Sequence, residues 1–74
     1  MKLGKVTGKI GMAGQAEELT GARILMVETE GSCVAALDRA GAKTGDRVLM
    51  VMGHAAGRYS MEAPSDAVVV AVVE

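Results

Sequence analysis

Tryptophan and phenylalanine are absent from this chain, and Tyr59 is its only aromatic residue among 74. Half the residues are nevertheless apolar, so any core must be assembled from Val, Leu, Ile, Met and Ala. The length allows one domain, read here as residues 1–74. Below ~70–80 residues a single core rarely supplies more than about 3–5 kcal/mol without a staple. Cys33 is the only cysteine, which excludes an intrachain disulfide, and with no neighbouring Cys or His it cannot begin a zinc set. His54 is the only histidine, so the other common route to a transition-metal site is closed too. Association of chains is the staple that remains.

Charge of one sign is also missing. Eight Lys and Arg against nine Asp and Glu leave a formal net charge of −1, with no basic footprint for nucleic acid. A single aromatic residue leaves no platform for stacking bases either. The opening stretch "MKLGKVTGKIG" has no continuous apolar segment and no small-residue cleavage site, so a cytoplasmic protein is expected. The longest apolar run, "AVVVAVV", has seven residues against the roughly 20 of a membrane helix, and no membrane partner is expected.

What is present is glycine. Ten of them separate short runs of Val, Ile, Leu and Met, the pattern of closely spaced strands and turns. The first strand is expected over residues 3–11, with Val6, Gly8 and Ile10 facing one way and Lys5, Thr7 and Lys9 the other. "AGQAEELTG" can hold a turn of helix at most. "ARILMVE" is the second strand, Glu30-Gly31 a tight reversal, and "CVAALD" the third, making a hairpin. "RAGAKTG" is a glycine-bracketed connection to "DRVLMVMG". "HAAGR" is long enough for about one helical turn before Gly57 and Pro64 break the segment, and "DAVVVAVV" comes last. The fold class is therefore all-β, a small five-stranded barrel. Strands two, four and five are apolar at consecutive positions, so both faces want cover, and closing a barrel buries only one. Exposed apolar area of that size marks an interface, and another copy of the chain is the expected cover.

Catalytic and cofactor motifs fail on spacing. Gly8, Gly11 and Gly14 stand as G-x-x-G-x-x-G, without the helix that a dinucleotide loop needs after it. "GAKTGD" has Ala42 and Leu37 where a phosphate loop needs glycine, and reads as a turn. His54 with Ser60 or Ser65 and a distant Asp lacks the G-x-S-x-G elbow. Cys33, at the start of an apolar strand, is expected to be a small buried hydrophobe. No catalytic residue, metal or cofactor is expected. Arg58 and Asp66 stand apart: each is a lone charge flanking an apolar strand, and an Arg–carboxylate pair across a subunit contact would fix its register.

The segments "MKLGKVTGKI", "LTGARILMVE", "VAALDRAGAKTGDRVLMVMGHAAGR" and "PSDAVVVAVVE", taken in order, resemble the vertex proteins of bacterial microcompartments. That family places an acidic residue before a Gly-Ala-Gly-x-Gly connection, then a Val-Leu strand, Gly-Ser-Ala-Ala-Arg, and Asp before a Val/Ile-rich strand. Asp38, Gly41, Ala42, Gly45, Val48, Leu49, Gly53, Ala55, Ala56, Arg58, Asp66 and Val69 fall where the pattern asks. Lys43 departs from it at the middle glycine, His54 at the serine, and Gly57 within the last motif.

The resemblance implies an OB-like barrel that assembles as a homopentamer and closes the vertices of a polyhedral shell otherwise tiled by hexameric shell proteins. Function would follow from geometry, with no residue catalytic. The expected subunit interface comprises Asp38, Gly41, Gly45, Val48, Gly53, Ala56, Arg58 and Asp66. A small β-barrel assembly chaperone or adaptor that binds a protein partner is the alternative. Against its usual forms stand Lys2, where a maturation factor has cysteine, and the lack of room for a long mobile loop.

Overall fold

The computed structural model describes residues 1–58 and 65–74, which form five strands and two 3₁₀ segments. The strands are β1 (Lys2–Lys9), β2 (Ile24–Thr29), β3 (Ser32–Asp38), β4 (Arg47–Met52) and β5 (Ala67–Val73). The 3₁₀ segments, Glu17–Leu19 and Gly53–Arg58, fill the two places where the sequence left room for one turn. Pro64 and Ser60 lie outside the described residues.

The strands close into a barrel in the order β1-β2-β3-β5-β4. Pairing is antiparallel except between β3 and β5, which run parallel and meet only at Leu37↔Val68 and Asp38↔Val69. The β2–β3 hairpin turns on Glu30 and Gly31, with φ of 52° and 77°. Two central residues with positive φ give the primed turn whose twist matches that of the flanking strands. Glu30 keeps that place while its carboxylate pairs with Lys2 at 3.0 Å.

Inside the barrel, Val6, Leu25, Val27, Ala36, Ala42, Val48, Met50, Ala67 and Val69 form one buried cluster. Among the described residues no aromatic side chain enters this cluster, and branched aliphatics, alanines and one Met fill the space. Gly4, opposite Val48, shows how tight this packing is. A Cβ added there would stand 2.5 Å from Val27 Cγ1, 3.0 Å from the Glu28 carbonyl oxygen and 3.1 Å from Met50 Cε. Strand glycines often mark such close approach.

β1 departs from the expected two-residue alternation. Its register against β2 shifts between Val6 and Gly8. An extra residue in one strand exchanges the faces beyond it, so Gly8 comes opposite the exposed Met26 instead of continuing the inward face of Val6. The outer cover also differs from the expectation. Leu37, Val51, Ala56 and Val68 form a second buried cluster, with Leu19, Ala22, Ile24 and Val70 packed on it. Ala56 comes from the Gly53–Arg58 segment and Leu19 from the Glu17–Leu19 segment, so the chain itself covers part of its outward apolar surface.

Replacing Gly4 by Ala is expected to cost about 1–3 kcal/mol, the usual penalty of overpacking. Gly8→Ala, with open space at its Cβ position, should stay within about 0.5 kcal/mol. Thermal and urea unfolding of both variants beside the parent chain would measure the difference.

Candidate functional site

Asp38 ends β3 at the parallel seam, and its side chain is only 1% exposed. A buried carboxylate has to be paired and hydrogen-bonded, and here every donor comes from nearby. Oδ1 accepts from the backbone N–H groups of Ala40 (2.9 Å), Gly41 (3.0 Å) and Ala42 (3.4 Å). Oδ2 pairs with Arg23 at 3.1 Å, and a second guanidinium nitrogen of Arg23 donates to the Ala42 carbonyl at 2.7 Å. The chain wraps round the carboxylate and drops Ala42 into the core.

Gly41 and Gly45 have φ of 72° and 95°, the left-handed range that favours glycine. Lys43 between them is not among the residues with positive φ, so the departure from the glycine pattern places no strain there. Its backbone N–H donates to Asp46 Oδ2 at 2.8 Å. The Gly45 N–H donates to the Val6 carbonyl and the Val6 N–H to that of Asp46, which fastens the connection to β1.

The residues expected at a subunit contact divide into two groups. Asp38, Val48 and Ala56 have their side chains enclosed within the chain, so whatever they contribute to a contact passes through the backbone they hold in place. Gly41, Gly45, Gly53, Arg58 and Asp66 lie at the surface. Gly53 N–H donates to the Asp66 carbonyl at 2.7 Å, which ties the start of the second 3₁₀ segment to the start of β5. The Ser65 hydroxyl donates to the Ala67 carbonyl at 2.6 Å, so this serine organises the entry to β5. His54 and Arg58 line an open recess with Met1, Val51 and Ala55, and among the described residues no carboxylate shares that lining. Cys33 is exposed, contrary to the expectation of burial, because register places it opposite Glu28 on the outer face.

Surface apolar residues complete the picture. Leu3, Leu49 and Ala71 stand side by side across β1, β4 and β5, and Leu3 is 53% exposed. Beside this stripe run Lys5, Arg47 and Val73. A separate outward pair, Met26 and Ala35, lies on β2 and β3. Arg23, Leu3 and Ala71 were not singled out from the sequence. For Arg23 a signal existed, a lone charge at the entry to an apolar strand, but its partner fifteen positions on is visible only in the fold.

Over residues 1–74 the chain matches the family described as ethanolamine utilisation protein EutN/carboxysome. It is 36% identical over 83 aligned residues to the bacterial microcompartment shell vertex protein EutN of Escherichia coli K12, a match that covers all of this chain and 87% of that protein. The structure is similar to that of the GrpN pentameric microcompartment shell protein from Rhodospirillum rubrum. That comparison gives a TM-score of 0.85 at 33% identity and covers 100% of this chain and 94% of the other. It is likewise similar to CcmL from Nostoc sp. PCC 7120, with a TM-score of 0.84, 29% identity and coverage of 99% and 88%.

Removing the Asp38 carboxylate would strand the donors gathered round it. Asp38→Ala is expected to lower stability by about 3 kcal/mol. Arg23→Lys, which keeps a charge but loses the rigid fork whose two nitrogens reach Asp38 and the Ala42 carbonyl, should cost about 1 kcal/mol. Urea unfolding followed by far-UV circular dichroism would test this ordering.

Proposed function

This chain belongs to the EutN/carboxysome family, and from that membership we propose that five copies close into a ring that caps the vertices of a polyhedral microcompartment shell. The observation that carries the reading is the barrel itself. It matches a pentameric microcompartment shell protein across its full length, and it presents unlike apolar surfaces on different sectors.

A ring is built by a heterologous contact, one patch against a different patch, repeated until it closes. The Leu3–Leu49–Ala71 stripe on β1, β4 and β5 is one such patch, and Met26 with Ala35 on β2 and β3 is another. Apolar surface on a chain this small is better buried against a neighbour than left in water. Arg58 and Asp66 supply charge at the margin, where an Arg–carboxylate pair selects register. Gly41, Gly45 and Gly53 shape the loops at that margin, while Asp38, Val48 and Ala56 hold their backbone from within.

Mechanism here is geometry. Hexagonal units tile a plane and cannot curve into a closed surface without fivefold positions, so a pentamer supplies closure. We read hexameric shell proteins as the partners along the outer edges of the ring and the bacterial cytoplasm as the site of assembly. The chain acts as a structural subunit: it shapes and seals the boundary, and the enclosed enzymes carry out the chemistry.

Native mass spectrometry at low micromolar concentration should show a dominant five-chain species, and a folded monomer would overturn the ring. Leu49→Asp, at a half-buried position on the outward stripe, should move the population to monomer while leaving the circular dichroism spectrum unchanged. Arg58→Ala should weaken assembly in sedimentation velocity, and unchanged sedimentation would remove Arg58 from the contact.

A further inference from the structure

Beside the Gly53–Arg58 segment lies an open recess of about 620 Å³, lined by Met1, Val51, His54, Ala55 and Arg58. We infer that this recess binds a carboxylate carried on a short apolar stem. The inference does not rest on the ring, since the whole of this lining belongs to one chain.

The first argument is the lining. Small-molecule sites are mostly apolar, hold a few polar groups that fix orientation, and span about 300–1,000 Å³. This recess has that make-up, with Met1, Val51 and Ala55 as apolar wall and His54 and Arg58 as polar groups. Met1 is 84% exposed, a large apolar side chain that its own chain leaves uncovered. A flexible thioether of this kind can settle over ligands of varied outline.

The second argument is unused donors. A guanidinium carries five N–H donors in a planar fork that matches a carboxylate, and an imidazole has an N–H in either tautomer. Among the described residues neither Arg58 nor His54 has a hydrogen-bond or ion-pair partner, and no carboxylate lines the recess. The Arg58 guanidinium supplies the charge for a monoanion, and the His54 N–H a second contact.

The third argument is a fixed platform. Val51 is 6% exposed and Ala56 fully buried, both in the second apolar cluster. The Gly53 N–H donates to the Asp66 carbonyl at 2.7 Å. His54 and Arg58 therefore belong to an anchored segment, and the entropy lost on binding is confined to side chains.

Such a carboxylate can arrive from solution as a short-chain acid or on an acidic side chain of a neighbouring copy. Butyrate titration distinguishes the two. Protein labelled with ¹⁵N and at the methionine methyl groups would be titrated with sodium butyrate, sodium acetate and sodium chloride at equal ionic strength, with the same series on Leu49→Asp. Saturable shifts confined to Met1 and residues 51–58 are expected. They should be absent with chloride, need about fivefold more acetate than butyrate, and weaken about tenfold in Arg58→Gln. That result in the parent chain would establish a site open to solution, whether the parent proves to be a ring or a monomer. The same shifts in Leu49→Asp alone would mean that a neighbour's carboxylate fills the recess on assembly. Absence of shifts in both, equal response to acetate and butyrate, or shifts unchanged in Arg58→Gln overturns the inference. If Arg58→Gln does not keep the barrel spectrum, Arg58→Lys serves in its place, with a weakening of about threefold expected from loss of the fork.

Discussion

The barrel depends on how its narrowest seam is held. β3 and β5 share only two residue pairs, and one of them contains Asp38. The same residue hydrogen-bonds backward through its N–H to the Arg23 carbonyl, forward through its carboxylate to the next three amides beyond Arg39, and sideways to the Arg23 guanidinium. Without it, the connection from 39 to 46 has no fixed path, Ala42 has no reason to enter the core, and the attachment of Gly45 and Asp46 to Val6 is left without support. A buried charge is costly by itself. Here the donors it demands are the backbone groups of the loop that must be shaped, so the requirement of the charge specifies the conformation.

Much of the fold was legible because strands and turns obey local rules. The five apolar segments became β1 to β5 within two residues at each end, and the Glu30-Gly31 reversal became a two-residue hairpin turn. What escaped was non-local. The bulge in β1 follows from pairing with β2; Gly8 signals that the strand can bend there, and the register shift itself shows only in the pairing. The burial of Leu37, Val51 and Val68 under the 3₁₀ segments could not be read from consecutive apolar residues, which say that cover is needed and not which part of the chain provides it. Cys33 was misplaced for the same reason: its face is decided by register opposite Glu28.

For the residues proposed at a subunit contact, what was legible is their exposure. Arg58 and Asp66 do lie at the surface near apolar strands, and the glycines do bend the loops. Residues selected by family pattern at Asp38, Val48 and Ala56 proved to be enclosed. A pattern records every position that keeps a shape, and it mixes those that touch a partner with those that hold the touching surface in place. Exposed apolar positions such as Leu3 carry no such mark, since a lone leucine in a short strand looks the same whether it faces in or out.

The placement of β4 between β1 and β5 has a kinetic consequence. Lys2 pairs with Met50 and Arg47 with Val73, so the first strand waits for the second half of the chain before it gains its second neighbour. High sequence separation between partners slows folding, because loop closure has to precede the contacts that reward it. The β1–β2–β3 meander lies within Lys2–Asp38 and can pair before β4 and β5 join it. Closure of the barrel waits for β4 and β5, which complete the ring of strands against β1 and β3.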